Sequence, residues 1–311
     1  MPDIVVTEFM GEGALDAFGN DYNVVYDPSL VDNPDKMLAL LGDCRAVIVR
    51  NRTQVRAELL AAAPKLEAVG RLGVGLDNID LPACEAKGVA VLPATGANAQ
   101  CVAEYVLAGL LMLLRGGAYH AKHPMMAGNW PRNDLQNGRE IRGSQLGLIG
   151  FGGIARLVAS MVQPLGMIVT AYDPFVSSDD PIWAKTGVKP LSLNDLLSDS
   201  DAVSLHVPLT DETQHLIGDS NLDLMKSDAI LINTARGGVV DEEALAVALT
   251  GERLGGAMLD VFEEEPLTDG TKFKGVPNLI LTPHIAGLTQ EGNDRVSTVT
   301  VENIKRILEK K

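Results

Sequence analysis

Short apolar runs alternate with helix-like segments along almost the whole chain, and this alternation restricts the fold more than any other feature of the sequence. The runs are too short for helices and are bounded by polar residues, Gly or Pro, which is typical of strands buried in a parallel sheet. A first series lies at residues 4–6, 24–26, 46–49, 66–69 and 89–92, and a second at 145–151, 167–171, 202–206, 229–232, 256–259 and 279–281. Two successive series predict an α/β protein with two doubly wound parallel-sheet domains and a cleft between them.

Composition limits the partners that such a chain can have. The 26 basic residues against 41 acidic ones give a net charge of −15, which argues against nucleic acid or an anionic membrane as a partner. No apolar stretch is long enough for a membrane span, and a signal peptide is not expected because the chain begins directly with a strand-like run. The cysteines Cys44, Cys84 and Cys101 fit no C-x-x-C pattern, and we expect reduced thiols in a cytoplasmic protein.

A glycine-rich motif follows the first strand of the second series. Residues 150–155 read Gly-Phe-Gly-Gly-Ile-Ala, which is the form G-x-G-x-x-A between a strand and a helix that dinucleotide-binding folds use. Asp173 follows the next strand, where its carboxylate can accept hydrogen bonds from an adenine ribose and would repel a 2′-phosphate. We therefore predict NAD as the cofactor, bound by Gly150, Gly152, Gly153, Ile154 and Asp173. The alternative is a plain glycine turn, with Asp173 merely starting a turn at Pro174.

Three polar side chains follow three apolar runs in the last third of the chain, namely Arg236, Glu265 and His284. The carboxyl ends of parallel strands share one edge of a sheet, where open α/β sheets place ligands, so we expect the three to lie close together. Imidazole can take a hydroxyl proton near neutral pH, and a carboxylate can orient the ring and favour its protonated form. A guanidinium can bind a carboxylate and a carbonyl oxygen at two points. We predict that these three residues are catalytic.

Each of the three also has a simpler interpretation. His284 could be a strand-end histidine with a satisfied ring, Glu265 lies in an acidic run typical of a solvated surface, and Arg236 could bind only cofactor phosphate. Three coincident strand-end positions together with the nucleotide motif favour catalysis. The remaining histidines of polar segments have no nearby acidic or Cys partners for a metal, and no metal site is expected; they are His120, His123 and His215.

Two loops of the first series are rich in groups that bind anions. Residues 73–80 carry two glycines directly after a strand, and backbone N–H groups in such a loop can bind a carboxylate. Residues 50–53 read Arg-Asn-Arg-Thr and offer many donors to a second anionic group. The alternatives are a plain glycine turn for the first loop and a solvated basic loop, paired with acidic residues, for the second.

Together these motifs resemble the D-isomer-specific 2-hydroxyacid dehydrogenase family, in particular its phosphoglycerate-dehydrogenase-like branch, whose catalytic residues are an Arg, a Glu and a His in this order. The resemblance implies an NAD-binding Rossmann domain at residues 97–285, inserted into a flavodoxin-like substrate domain at residues 1–96 and 286–311. It implies further cofactor contacts at His206, Pro208, Thr234, Ala235 and Asp260, and substrate contacts at Arg50, Arg52, Val74 and Gly75. It also implies a homodimer formed through the NAD-binding domain, using the helix at residues 99–114 and the stretch around Trp130.

The function predicted from the sequence is NAD-dependent hydride transfer that interconverts a D-2-hydroxy acid and its 2-oxo acid. Arg50 and Arg52 indicate a small substrate with a second anionic group, such as 3-phosphoglycerate or sulfolactate. Two alternatives stay open. One is a dehydrogenase for a simple acid such as glycerate, glyoxylate or lactate, and the other is a nonenzymatic NAD(H)-sensing protein of the corepressor type, which shares the fold and the trio.

Overall fold

The computed structural model describes residues 2–310, which form two α/β units built on separate parallel sheets. One unit extends to Asn98 and resumes at Leu288, and the other is Ala99–Gly287. The second unit is therefore an insertion in the chain of the first.

The strands of the described residues are short and mostly buried. In chain order they are β1 (Ile4–Val6), β2 (Val24–Tyr26), β3 (Ala46–Val49), β4 (Ala68–Arg71), β5 (Ala90–Pro93), β6 (Gln145–Ile149), β7 (Ile168–Tyr172), β8 (Lys189–Pro190), β9 (Ala202–Leu205), β10 (Ile230–Asn233), β11 (Gly256–Leu259) and β12 (Leu279–Leu281). Their burial on both faces explains why the sequence shows continuous apolar runs rather than alternation.

Helices connect most of these strands. The α-helices are α1 (Pro34–Ala39), α2 (Ala57–Ala62), α3 (Leu81–Ala86), α4 (Ala99–Leu113), α5 (Lys122–Met126), α6 (Gly153–Val162), α7 (Pro181–Thr186), α8 (Leu193–Asp199), α9 (Asp219–Leu222), α10 (Glu242–Thr250) and α11 (Gln290–Leu308), and shorter 3₁₀ turns lie at Glu12–Phe18, Pro28–Asp32, Ala118–His120, Gln163–Leu165 and Thr271–Phe273. Within residues 2–310 no single helix is long and apolar enough to cross a membrane. Among these residues, one pair of helices, Ala99–Leu113 and Ala118–Met126, would be long and apolar enough if taken together, but the pair is sharply bent.

Side-chain caps define the starts of several helices. Thr289 accepts a hydrogen bond from the N–H of Gly292 at the start of α11, and Asp241 does the same for Ala244 at the start of α10. Such caps satisfy N–H groups that the first helical turn leaves without partners. The start of α6 differs, because its N-cap residue is Gly152 and no side chain caps it. The first N–H groups of α6 are thus left for another acceptor.

The first unit contains a five-stranded sheet, among the described residues, in the order β2-β1-β3-β4-β5. Every neighbouring pair is parallel, and the order is flavodoxin-like. Helix α11 packs its apolar face, including Ile304, against the sheet face that carries Ile4 and Val6. Gly70 permits this contact, because a Cβ there would lie 2.8 Å from Cγ2 of Thr300. Complete burial of a side chain such as Ile304 contributes about 1.5–3 kcal/mol.

The second unit contains a seven-stranded sheet, again among the described residues, in the order β12-β11-β10-β9-β6-β7-β8. All pairs are parallel, and the order is that of a Rossmann fold extended by one strand. Helices α4 and α6 cover one face of the sheet, and α8 and α10 cover the other. The predicted fold of two doubly wound parallel-sheet domains, one inserted into the other, is confirmed.

The strand order reverses between β6 and β9, which makes their carboxyl ends the topological switch point of the second sheet. The glycine motif follows β6, Asp173 follows β7 and His206 follows β9. The segments that carry the predicted catalytic residues follow β10, β11 and β12. Since all these strands are parallel, their following segments lie at one edge of the sheet.

Candidate active site

His284 and Glu265 form a direct pair at the carboxyl edge of the inserted unit. The Nδ1 atom of His284 lies 2.7 Å from Oε2 of Glu265, and the other carboxylate oxygen accepts the N–H of Phe262 at 3.0 Å. Both side chains keep solvent access, with 44% and 33% of the His284 and Glu265 side chains exposed. Because Glu265 engages Nδ1, proton exchange with a ligand falls to Nε2 of His284.

The carboxylate of Glu265 is held in its charged form. Burial acts to raise the pKa of Glu265, but the hydrogen bond with His284 and the N–H of Phe262, with the nearby charge of Arg236, bring it below its ordinary value. An ionised Glu265 stabilises a protonated His284, which is the form that a proton acceptor reaches after taking a hydroxyl proton.

A buried aspartate beneath His284 fixes the loop that carries it. Asp260 is fully buried, and its Oδ1 accepts hydrogen bonds from the Thr282 hydroxyl at 2.6 Å and the Ile285 N–H at 2.8 Å. Its Oδ2 accepts the N–H of Ala286 at 2.7 Å, and its carbonyl accepts that of His284 at 2.8 Å. His284 has a φ of 55°, which is uncommon for a residue other than Gly. The hydrogen bonds that Asp260 accepts on both sides of His284 hold its backbone in this conformation.

Arg236 is positioned by an asparagine at the end of β10. The side chain of Asn233 is buried, donates to the Arg236 carbonyl at 2.9 Å and accepts the Ala235 N–H at 3.0 Å. The next residue, Gly237, lies against the Phe262 carbonyl, and a Cβ there would overlap its oxygen. This close backbone contact brings the turn of Arg236 beside the turn of Glu265. The structure thus brings together the predicted trio of Arg236, Glu265 and His284.

The glycine motif forms a cradle suited to a pyrophosphate. Gly150 has a φ of 84°, and a Cβ there would lie 2.6 Å from the His206 carbonyl oxygen, so only Gly allows the turn. A Cβ on Gly152 would meet nothing within 4 Å, which shows open space in front of the uncapped start of α6. Ala155 is fully buried and lets the helix lie close to the sheet. Free N–H groups and the helix dipole favour a phosphate at this place.

Asp173 lies at the edge of this cradle. Its Oδ2 accepts the N–H of Phe151 at 2.8 Å and its Oδ1 that of Phe175 at 2.9 Å, so each oxygen keeps a lone pair for a ribose hydroxyl. A cavity of about 400 Å³ opens beside it, and Asp195 is among the lining residues. None of the described residues that line this cavity is Arg or Lys. Two carboxylates and no cation disfavour a 2′-phosphate, so the residues present fit NAD rather than NADP.

The further predicted cofactor contacts lie at the same edge. Burial lowers the pKa of His206 to about 4, and its Nε2 lies 3.0 Å from the Ser204 hydroxyl, so its ring is neutral at pH 7. Pro208 is exposed and its carbonyl accepts the Thr213 hydroxyl. The Oγ1 atom of Thr234 is buried and has no hydrogen-bond partner within residues 2–310. A buried hydroxyl without a partner is expected where a bound ligand supplies the missing hydrogen bond.

The arginines of the loop at residues 50–53 have separate partners. Arg50 donates to Oδ1 of Asn293 at 2.8 Å and to the Phe9 carbonyl at 3.2 Å, both neutral acceptors. Arg52 instead forms an ion pair with Asp32 at the surface. Of these two arginines, Arg50 lies at the carboxyl edge of β3 and donates to neutral acceptors, whereas Arg52 already faces a carboxylate. Asn293 follows Arg50 by 243 residues, and no sequence pattern pointed to this contact.

An arginine that the sequence motifs did not single out lies beside the glycine loop of the first unit. Arg71, the last residue of β4, donates from Nη1 to the Leu72 carbonyl at 2.8 Å, and a Cβ on Gly73 would overlap this guanidinium. The exposed Val74 and the neighbouring Gly75 follow directly. An arginine beside loop amides adds positive charge where a carboxylate was expected to bind. The only signal in the sequence is a charged residue at the end of an apolar strand.

Among the described residues, no group of three or more His, Cys, Asp or Glu side chains could hold a metal ion. The groups that define the chemistry of this site are the pair of His284 and Glu265, the arginine Arg236 and the nucleotide cradle. Together they make a site for an NAD-dependent oxidoreductase acting on an acid.

Comparison with known proteins supports this class. A family model described as D-isomer specific 2-hydroxyacid dehydrogenase, NAD binding domain, matches residues 107–286. The (S)-sulfolactate dehydrogenase of Chromohalobacter salexigens is 54% identical over 308 residues, which cover 99% of both chains. The D-3-phosphoglycerate dehydrogenase of Mycobacterium tuberculosis is 40% identical over 310 residues, and these cover 99% of this chain but 57% of that relative.

A solved structure gives the same result for the fold and the cofactor. The NAD-dependent formate dehydrogenase from Staphylococcus aureus, determined in complex with NAD, superposes with a TM-score of 0.82 at 29% identity, covering 99% of this chain and 95% of the other. The chain belongs to the D-isomer-specific 2-hydroxyacid dehydrogenase family. It is an NAD-dependent 2-hydroxyacid dehydrogenase, and the alternative of a nonenzymatic NAD(H) sensor is set aside.

Proposed function

We propose that this dehydrogenase interconverts (S)-sulfolactate and 3-sulfopyruvate. The observation that carries the proposal is Arg50, at the carboxyl edge of β3, whose guanidinium donates to two neutral acceptors, the Phe9 carbonyl and Oδ1 of Asn293. A sulfonate is a permanent anion with three acceptor oxygens, and a planar guanidinium binds such a group through two parallel hydrogen bonds. The 54% identity with a sulfolactate dehydrogenase over 99% of both chains supports the same substrate.

The configuration of this substrate agrees with a D-isomer-specific family. In sulfolactate the sulfur-bearing carbon outranks the carboxylate in the priority rules, because sulfur outranks oxygen. In lactate the carboxylate outranks the methyl group, so the same spatial arrangement carries opposite labels in the two acids. (S)-Sulfolactate is thus the D-configured isomer.

The inserted unit supplies the groups for binding NAD and moving the proton. We propose that the cradle at Gly150, Gly152, Gly153 and Ile154 binds the pyrophosphate, that Asp173 binds the adenine ribose, and that His206, Pro208, Thr234, Ala235 and Asp260 form the wall of the nicotinamide side. NAD bound there would supply the hydride acceptor for C2 of the substrate.

Proton transfer and substrate orientation follow from the trio. Nε2 of His284 takes the proton of the C2 hydroxyl, and the ionised Glu265 at Nδ1 stabilises the resulting imidazolium. Arg236 binds the substrate carboxylate and the C2 oxygen, which orients C2 and stabilises the developing carbonyl. The products are the 2-oxo acid, NADH and one proton, and reduction follows the same path in reverse.

The first unit supplies the groups for the anionic ends of the substrate. We propose that the amides of Val74 and Gly75 bind the carboxylate and that Arg50 binds the sulfonate. Arg52 contributes less, because its ion pair with Asp32 already satisfies its charge. An ion pair at the surface is worth little in stability but still competes for the same guanidinium.

An exposed apolar surface of the inserted unit supports a homodimer. Along α4 and residues 115–142, several large apolar side chains are exposed, including Met126 at 76% and Trp130 at 75%. Large apolar side chains left exposed within one segment are typical of protein interaction sites. We propose that a second copy of the chain covers this surface.

We also propose that the enzyme is cytoplasmic. Its cysteines are free and buried, which suits a reducing compartment.

A substrate panel tests the proposed function. NADH formation would be followed with (S)-sulfolactate, 3-phospho-D-glycerate, D-glycerate and D-lactate at equal concentration, and NAD binding would be measured separately by calorimetry. We expect the highest kcat/KM with (S)-sulfolactate. Faster turnover of phosphoglycerate would reassign the second anion as a phosphate, and preference for D-lactate or D-glycerate would remove the second-anion proposal.

A further inference from the structure

A buried carboxylate occupies the backbone amides of the turn that carries Arg50. Glu8 is the second residue after the end of β1 and is 4% exposed. Its Oε1 accepts the N–H of Arg50 at 2.8 Å and that of Thr53 at 2.9 Å. Its Oε2 accepts the N–H of Arg52 at 3.1 Å and that of Asn51 at 3.3 Å. Four successive amides of one turn therefore converge on a single internal anion.

This carboxylate is charged in the folded protein. Burial acts to raise the pKa of Glu8, but the hydrogen bonds from the N–H groups of Thr53, Arg50 and Arg52 bring it below its ordinary value. Successive backbone N–H groups that point to one place form an anion-binding concavity. Glu8 fills this concavity from within the chain.

The same turn is tied to its neighbours on two other sides. The Thr53 hydroxyl lies 2.8 Å from that of Thr7, and the Asn78 side chain donates to the Thr53 carbonyl at 2.7 Å. With its amides on Glu8, the turn holds the backbone of Arg50 fixed, while Asn293 and the Phe9 carbonyl hold its guanidinium. Of the donor groups of Arg50, only the side chain stays open to a ligand.

We propose that Glu8 is a positioning residue that closes the amide nest of residues 50–53 to external anions, so that the Arg50 side chain alone recognises the second anionic group of the substrate. This inference rests on the proposed function for the identity of that group. A turn with open amides would bind any small anion, including inorganic phosphate or formate. Because the Glu8 carboxylate occupies these amides, the second anionic group of the substrate can bind only to the Arg50 guanidinium, which is held in one orientation.

Two Glu8 variants test the positioning role by kinetics. Glu8→Gln keeps the size of the side chain but turns an amide NH₂ toward backbone N–H groups, and Glu8→Asp keeps the charge. For Glu8→Gln we expect the KM for (S)-sulfolactate to rise about tenfold or more, from the loss of hydrogen bonds to a charged group, with kcat and the kcat/KM for D-lactate unchanged. Glu8→Asp should recover part of the loss. An equal loss with both acids would reduce Glu8 to a purely structural residue and overturn the proposal.

A third variant tests the closed nest without any substrate. In Glu8→Ala the four amides should become open to formate, so sodium formate should raise the melting temperature of this variant by more than it raises that of the wild type. Glu12→Ala, at an exposed glutamate close in sequence, is the matched control and should respond as the wild type does. Equal formate responses of Glu8→Ala and the wild type, at ionic strength matched with chloride, would disprove the nest. This result holds whichever acid the enzyme oxidises, so it separates a failure of this inference from a failure of the proposed function.

Discussion

Gly237 lies against Phe262 so closely that any side chain at position 237 would overlap the Phe262 carbonyl oxygen. This contact joins the turn after β10 to the turn after β11, and therefore sets the separation between Arg236 and Glu265. The positions of two proposed catalytic groups thus depend on a residue that has no functional group of its own.

Replacement of Gly237 by Ala should separate the two turns. We expect kcat/KM for the 2-hydroxy acid to fall at least about a hundredfold, because a displacement of about 1 Å at a reacting centre has effects of this size. Steady-state kinetics and circular dichroism would be measured together. Gly13→Ala is the control, since a Cβ at Gly13 would meet nothing within 4 Å and its rate should be unchanged. Full activity in Gly237→Ala would show that the turns tolerate the shift.

The pair of His284 and Glu265 predicts unequal effects for neighbouring acidic residues. Glu265→Gln should lower kcat about tenfold or more, because it removes the charge that stabilises the protonated His284. Glu264→Gln, one position earlier in the same acidic run, should change kcat by less than about twofold, since the Glu264 carboxylate contacts the Thr268 hydroxyl whereas His284 is paired with Glu265. His284→Asn should lower kcat by about 10²–10⁴-fold. Equal rates for the two glutamine variants would remove Glu265 from the proposed mechanism.

Arg50 and Arg52 lie two positions apart but should contribute differently to substrate binding. Arg50→Gln should raise the KM for (S)-sulfolactate about tenfold or more, as expected when a charge-assisted hydrogen bond is lost, and leave D-lactate oxidation nearly unchanged. Arg52→Gln should have little effect on either, because that side chain is paired with Asp32. Initial rates measured over a range of concentrations of each acid would give the KM and kcat of each variant. A larger effect at Arg52 would reverse the assignment.

His206 predicts a loss of stability on acidification. In the unfolded chain this histidine binds a proton below its ordinary pKa of 6.5, whereas burial keeps it neutral in the folded protein down to about pH 4. The unfolded state therefore binds more protons in this window, and stability falls as the pH is lowered from 6.5 to about 4. The melting temperature of His206→Asn should fall less steeply there than that of the wild type. The exposed His123→Asn should follow the wild type, and identical slopes for all three proteins would contradict the lowered pKa of His206.

The position of the candidate site could be predicted from sequence because its residues follow strands that the sequence itself marks. Each of the three trio residues lies in the segment that follows a strand, and parallel strands bring their carboxyl ends to one edge whatever their order in the sheet. The glycine motif and Asp173 also directly follow strands, β6 and β7, so the same argument predicts their position. The family resemblance then supplied the roles of residues such as Thr234 that no pattern singles out.

Other features depend on contacts between distant segments, which no local pattern encodes. Glu8 meets the turn of Arg50 over a separation of 42 residues, and Asn293 meets the same arginine over 243. Strand β8 is Lys189–Pro190, and its short length and its proline give no strand signal. The strand predicted at residues 66–69 lies instead at Ala68–Arg71, because it pairs in register with Ala46–Val49, while Leu66 packs below it in the core.

The insertion of one unit into the other has a consequence for synthesis of the chain. Helix α11 completes the core of the first unit by packing against β4 at Gly70, yet it emerges from the ribosome only after residues 99–287 have been made. The inserted unit, whose strands and helices are contiguous, can fold while the first unit still exposes the sheet face that α11 will cover. A truncated nascent chain ending before α11 would therefore display an apolar surface to chaperones. Docking of α11 covers this surface and so ends the stage at which the chain is prone to aggregate.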